Sequence, residues 1–323
     1  MLHRRVTAQS DRYHVVPMSR LSLRSAALLT IPPILWAGNA IVGRMAIEHV
    51  SPLLLNSLRW GLAFLILLPL GYRVLRRGSA FWRDWRYFLV IGVLGIGSFN
   101  ALQYVALQTS TPINITLIAS SMPVWMLAIG TLFYRERVHT PQVVGALLSL
   151  AGVVFVLSRG QWAVLAQLSL VPGDVLILVA VILWGFYSWM LVRPGNVATR
   201  EYPWAEFLFA QMMFGAAGAA MAAVGEGVVG NSHVEWSPAL IAMVLYVAIG
   251  PSLIAYRCWG IGVATAGPAI ASFFNNLTPV FASLLSTLLL GDAPRWYHGV
   301  AFALIVGGIV VSGLRSGRAA KEH

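Results

Sequence analysis

Apolar stretches of about 20 residues, nearly free of charge, follow one another along most of the chain. A run of that length crosses the hydrocarbon core of a bilayer. There every backbone N–H and C=O must be satisfied from within the protein, so only helices or a closed barrel can be built. The ten-residue alternation of a membrane barrel is absent. Only 10% of the residues are charged and 58% are hydrophobic, with mean hydropathy +0.76. A soluble domain carries about 25% charged residues. The chain reads as an all-α integral membrane protein that crosses the bilayer many times.

Ten spans fit the pattern: 26–46, 52–72, 85–108, 112–134, 141–158, 173–192, 203–224, 238–260, 267–290 and 296–314. Basic residues test the count. With the N-terminus in the cytoplasm, seventeen of the 22 Lys and Arg fall on that side, and only Arg159 and Arg295 on the other. Arg44, Arg59 and Arg257 lie inside spans. Both termini are then cytoplasmic. The net charge of +11 lies along one face and needs no nucleic acid to explain it. The single cysteine, Cys258, allows neither an intramolecular disulfide nor a cysteine metal cluster. The first apolar run is long enough to be a span rather than a cleaved signal. Translation from Met1 or from Met18 fits equally well.

Pro-Val recurs near the middle of two spans, in "SSMPVWM" at 120–126 and "NLTPVFA" at 276–282. A proline inside a helix removes a hydrogen bond and costs roughly 3 kcal/mol. The two stretches are 156 residues apart. At the same offset Thr109 aligns with Thr265, Pro112 with Pro268, Gly152 with Gly308 and Glu136 with Asp292. Nearer the start of each half, "LWAGN" at 35–39 matches "LWGFY" at 183–187. Spans 1–5 and 6–10 therefore read as two copies of one unit. Five is odd, so the second copy enters from the opposite side: an inverted repeat, common among secondary transporters. The domains expected are a basic N-terminus 1–24, a first repeat 25–158, a linker 159–172, a second repeat 173–315 and a tail 316–323.

The stretches 34–70, 104–157 ("YVALQTSTPINITLIASSMPVWMLAIG…") and 267–313 ("GPAIASFFNNLTPVFASLLSTLLLGDAP…") resemble the EamA-type ten-helix exporters of the drug/metabolite transporter superfamily. Within that family the chain looks most like the YddG-type amino-acid exporters. The resemblance covers nearly all of 25–315. It implies two five-helix repeats, a central cavity, alternating access, and export of amino acids or related metabolites across the inner membrane. It implies no cofactor. Arg44 stands where the family often has lysine, Asp292 where it often has glutamate, and "WGFY" is more aromatic than its counterpart.

Polar groups inside a membrane face a cavity or a partner. Trp36 and Asn39 share a face of span 1, as Trp184 and Tyr187 do on span 6. Asn100 and Tyr104 on span 3, Tyr256 and Trp259 on span 8, and Asn275 and Asn276 beside Pro279 complete a candidate solute site of aromatics and amides. Such a lining suits small amphipathic solutes. Packing aromatics would show the same pattern. Pro123 and Pro279 are candidate functional breaks, or simple kinks. Arg44 and Glu48, four apart, can pair. Arg59 reads as a carboxylate anchor or outer-gate element, or as a structural charge paired with Glu48 or capped by carbonyls. Glu206 and Arg257 form a candidate inner gate or an interfacial salt bridge. Glu136 and Asp292 read as helix caps, and Glu206 as the only acid within a span. The small residues of 145–152 and 307–313 offer faces for close packing. No motif for metal, nucleophilic or acid–base chemistry appears, so an enzyme is not expected. A lipid or cationic-drug exporter of the same fold is the alternative. The expected partners are a small solute and membrane lipid. The oligomeric state is left open.

Overall fold

The computed structural model describes residues 21–46, 48–106, 108–195, 197, 202–290 and 295–313. Nine stretches of the described residues are long and apolar enough to cross a membrane. They are Leu23–Ala46, Pro52–Leu75, Phe81–Gln103, Ile113–Tyr134, Thr140–Leu157, Pro172–Val192, Trp204–Val228, Pro238–Ala266 and Trp296–Gly313. They are spans 1–8 and 10. Span 9 is two helices in line, Pro268–Asn275 and Thr278–Leu290, neither of which is long enough alone. Spans 2, 4, 5, 6, 8 and 9 each begin with a proline in the first turn. There the missing N–H needs no helical partner and the fixed φ already suits a helix. Thr111 and Ser237 cap spans 4 and 8 by accepting from the N–H of Asn114 and Leu240.

Span 2 packs against span 7 and span 5 against span 10, while span 1 lies on spans 8 and 9 and span 6 on spans 3 and 4. Exchanging the two halves maps the 2–7 and 5–10 pairs onto themselves, the 1–8 pair onto 6–3 and the 1–9 pair onto 6–4. That is the signature of two inverted copies about a pseudo-twofold axis. The 5–10 pair is closest. A Cβ on Gly145 would lie 2.6 Å from the carbonyl oxygen of Gly308, and one on Gly308 the same distance from that of Gly145. Only glycine lets these backbones touch.

Leu21 meets Gly313, so the described chain begins and ends on one face; this is the terminal face below. On the opposite face the loop after span 1 pairs with the loop before span 8, Val50 bridging Val234. Glu226 locks this seam. Its carboxylate accepts from Ser51 Oγ (2.7 Å) and from the N–H of Leu54 (2.9 Å) and Leu53 (3.2 Å), which are donors at the start of span 2. A carboxylate at a helix N-terminus satisfies orphan donors and complements the dipole. Glu226 belongs to the last turn of span 7, which runs to Val228. Its "GEGV" stretch stays helical here rather than opening a loop at 225.

Candidate functional site

The two proline segments meet. Span 4 breaks at 120–121 and span 9 at 276–277, positions 156 apart. Pro123 and Pro279 stand in the first turn of the half-helix that follows each break. Asn276 is buried in the joint and donates to the carbonyl of Ser120 (3.2 Å) and to Ser149 Oγ (2.8 Å). Thus a side chain at one break satisfies the carbonyl freed at its counterpart. Ser120 and Ser121 turn their hydroxyls back to Leu117 and Ile118, both at 2.6 Å. Asn275 lies against Met122 Sδ, and its own carbonyl oxygen is buried with no donor among the described residues. Asn276 is therefore a structural link, and of the two amides Asn275 has the unused acceptor.

Beside this joint, rings from spans 1, 2, 6 and 8 form one cluster. Trp184 lies 5.5 Å from Trp36, 5.6 Å from Trp259, 5.5 Å from Tyr256 and 5.0 Å from Tyr187. Trp60 joins at 5.2 Å from Tyr256, edge to face. Edge-to-face pairs add about 0.5–1.5 kcal/mol each beyond burial, so the cluster is a rigid wall. Trp259 Nε1 donates to Ser188 Oγ. The indole N–H groups of Trp60 and Trp184 are buried without an acceptor among the described residues. Asn39 is half-buried one turn from Trp36, and Asn100 is buried on span 3. The side chain of Tyr104 lies outside the described residues.

Spans 3 and 8 each contain a π-helical segment, Gly92–Ser98 and Ala248–Ile254. Again the two are 156 residues apart. In span 8, Pro251 has no N–H for the turn before it, and Ser252 Oγ donates to the Val247 carbonyl instead (2.8 Å). The Pro251 carbonyl accepts from Trp36 Nε1 (3.2 Å) and Arg59 Nη2 (3.4 Å), and Arg59 Nε donates to Ser252 Oγ (2.6 Å). Arg59 is 2% exposed. Of the readings open for it, these contacts are those of a charge capped by a carbonyl and a hydroxyl.

A cavity of about 460 Å³ lies between spans 6, 7 and 8 in the half nearer the terminal face. Its floor is Tyr187, Tyr256 and Gln211, and its wall carries Leu191, Phe207 and Ala264. Tyr256 Oη donates to the Gly95 carbonyl at 2.6 Å, which closes the floor against span 3. Arg257 is the cavity's one charged residue among the described lining, with its guanidinium 4.9 Å over the ring of Trp204. Tyr202 stands at the rim and donates to Asp84 at 2.9 Å. Among the described residues no group of three His, Cys, Asp or Glu could hold a metal ion.

Three expected charge arrangements differ. Arg44 and Glu48 are both exposed and form no ion pair, because span 1 ends at Ala46 and Glu48 falls outside the helix whose spacing would pair them. Arg257 rests on Trp204 rather than on Glu206. The ion pairs among the described residues are Arg83–Asp84 and Arg193–Glu136. Glu136 thus holds Arg193 at 2.6 Å instead of capping a helix, and Asp292 lies outside the described residues. Nor is Glu206 the only acid within a span. Asp84 and Asp174 occupy first turns, and Glu226 a last turn. Asp174 is buried and accepts from Ser110, Asn114 and the Val171 N–H. Gln211, Trp60, Pro251 and Ser252 belong to the site and escaped the sequence reading. Trp60 and Gln211 are polar-tipped residues in spans with no repeat of their type to flag them.

A model of the EamA-like transporter family matches residues 23–158 and again residues 171–314. An uncharacterized transporter of Archaeoglobus fulgidus is 23% identical, over 94% of this chain and 100% of its own. The aromatic amino acid exporter YddG of Ancylobacter novellus is 27% identical, over 92% of this chain and 100% of its own. YedA of Escherichia coli K12, an uncharacterized inner membrane transporter, is 26% identical, over 86% and 87%. A solved crystal structure superposes with a TM-score of 0.70 at 24% identity, covering 90% of this chain and 97% of that one. With its model matched twice, once in each five-span half, the chain belongs to the EamA-like transporter family.

Proposed function

We propose that the protein exports amino acids or related small metabolites across the inner (plasma) membrane, by alternating access through the cavity at spans 6, 7 and 8. Both termini lie in the cytoplasm, so the terminal face is the cytoplasmic one and the cavity is loaded from inside. The Lys and Arg bias across the ten spans supports this orientation. The opposite face is closed by the Val50–Val234 seam and the Glu226 cap. In the other state of the cycle that seam opens, and the Tyr202–Asp84 contact is part of what closes the inner side.

The observation that carries the solute class is the chemistry of the lining. It is aromatic and aliphatic, with one arginine and no carboxylate among the described residues. Rings cover an apolar side chain, and a guanidinium takes a carboxylate through charge-assisted hydrogen bonds. An organic cation would meet Arg257 with no counter-charge, so this lining favours amino acids over cationic drugs. YddG, a relative over the whole chain, is named as an aromatic amino acid exporter. Flux of labelled amino acids in proteoliposomes tests the reading. Saturable movement is expected, and a panel in which only organic cations or lipids move overturns it. The acids within the described spans sit at helix ends. Flux is therefore expected to follow the amino-acid gradient, unchanged by an imposed pH gradient.

A further inference from the structure

The elbow between spans 2 and 3 carries a surface that solute transport does not use. Span 1 leaves the terminal face and span 2 returns to it, so the elbow lies on that face. From Tyr72 to Arg86 it holds five arginines, Arg73, Arg76, Arg77, Arg83 and Arg86, and one acid, Asp84. Asp84 is buried and already engaged, by Arg83 at 2.9 Å and by Tyr202 at 2.9 Å. All five arginines are exposed, and so are Tyr72, Trp82 and Trp85. Arg73, Arg76, Arg77 and Arg86 form no ion pair among the described residues. On the same face the turn between spans 4 and 5 differs. There Arg135 and Arg137 flank Glu136, which holds Arg193.

The elbow is a built surface rather than a slack loop. Gly78 turns the chain at φ +87°. The Ser79 N–H (3.1 Å) and Trp82 Nε1 (3.2 Å) both donate to the Arg76 carbonyl, and Ser79 Oγ donates to that of Val74. The Arg76 guanidinium lies 5.7 Å over the Tyr72 ring, and that of Arg86 5.6 Å over the Trp85 ring. Trp82 thus touches Arg76 and stands one turn from Arg86.

What covers this surface follows from depth. Away from the terminal face, span 2 exposes Leu65, Leu68 and Leu70, and span 3 exposes Val90 and Val93. Trp82, Arg86 and Val90 are spaced by four and share a face. Along both spans the exposed surface therefore runs from aliphatic to aromatic to arginine. A leaflet changes in the same order, from acyl chain, through the interface where Trp and Tyr collect, to phosphate. An acidic soluble protein would match the arginines alone, not the rings and aliphatic stripes continuous with them. The positive-inside bias places arginine on this face, but it does not call for exposed tryptophans among them.

We propose that the elbow Tyr72–Arg86 is a binding site for an anionic phospholipid. Arg76 and Arg86, on either side of Trp82, hold the headgroup phosphate, since a guanidinium fork matches phosphate oxygens with paired N–H donors. The glycerol and first acyl carbons lie against Tyr72, Trp82 and Trp85. Arg73 and Arg77 add the charge that favours an anionic lipid over a zwitterionic one. The site needs the membrane but not any particular solute, so it stands apart from the export reading.

The test is binding of dioleoylphosphatidylglycerol and of dioleoylphosphatidylcholine to the purified full chain in a nonionic detergent, read as apparent Kd by native mass spectrometry. Two pairs of exposed arginines are compared. Arg76→Gln with Arg86→Gln alters the elbow; Arg135→Gln with Arg137→Gln removes the same charge elsewhere on the same face. The wild type is expected to bind phosphatidylglycerol more tightly than phosphatidylcholine. At about fivefold in affinity for each arginine, the elbow pair should weaken phosphatidylglycerol binding about 25-fold, and the other pair by less than about twofold. Thermal unfolding in detergent without lipid checks the fold of each variant. If the elbow pair folds poorly, Arg77→Gln alone decides, with a loss of about fivefold expected. Equal losses in the two pairs, or an Arg77→Gln that loses nothing, would leave only diffuse charge and overturn the site. Equal affinity for the two lipids in the wild type would overturn it too. So would displacement of the lipid by excess glycerol 3-phosphate, which would mark a site for a soluble phosphate.

Discussion

The π-helical segments of spans 3 and 8 occupy equivalent places in the two repeats, yet they are built from opposite materials. Span 8 uses Pro251 and Ser252, and its freed carbonyls hold Ser252, Trp36 and Arg59. Span 3 uses Gly92, Gly95 and Gly97; it shares the serine device, Ser98 Oγ donating to the Val93 carbonyl, but its Gly95 carbonyl, the counterpart of that of Pro251, accepts from the Tyr256 hydroxyl. A Cβ on Gly95 would lie 2.5 Å from the ring of Tyr187, so this glycine lets two rings close on the backbone. Proline stiffens one segment while glycine leaves the other pliable. The Trp36 indole reaches Pro251, but the repeat-equivalent Trp184 indole has no acceptor among the described residues. Two copies of one unit thus carry unequal bonds at equivalent places.

Substitutions can break this comparison at each level. The largest effect is expected on transport. Pro123→Ala with Pro279→Ala restores an N–H at each break, so the helix can continue through 120–121 and 276–277. Both prolines stand in first turns, so stability should change by less than about 1 kcal/mol, while flux in proteoliposomes falls to near background. Undiminished flux would reduce the breaks to kinks. Next comes Ser252→Ala, which strips Arg59 Nε and the Val247 carbonyl of a partner together. Thermal unfolding in detergent should report a loss of about 3 kcal/mol. Gly95→Ala forces a methyl into the Tyr187 ring and should cost about 2 kcal/mol by the same measurement. Tyr256→Phe removes only the bond to Gly95, about 1 kcal/mol. If it is as damaging as Ser252→Ala, the two segments are not unequal in the way described.

The ten spans were legible because hydrocarbon imposes length and apolarity on each segment separately. The repeat was legible because its punctuation, Pro123 and Pro279 with their polar neighbours, survives at a constant offset. What could not be read is the bonding between spans. Trp36 finds its acceptor 215 residues away and Arg59 its hydroxyl 193 away, and no local pattern encodes either. Pro251 looked like one more proline in an apolar run, since a π-helical turn has no composition of its own. Glu226 read as loop because two glycines flank it. In the molecule it ends a helix and caps another, a role set by where spans 2 and 7 meet. The charge pairs of Arg44 and Arg257 failed for a related reason: sequence spacing presumes a helix or a neighbour that the packing does not supply.

The cavity is the centre of the account, and its side and occupancy can be read together. Ala264 lines it and is exposed. A single-cysteine protein, Ala264→Cys with Cys258→Ser, would be labelled by a membrane-impermeant thiol reagent in vesicles of either orientation, with and without phenylalanine. The account predicts labelling from the cytoplasmic side and protection by the amino acid. Labelling from the other side alone, or labelling that no amino acid slows, would contradict it.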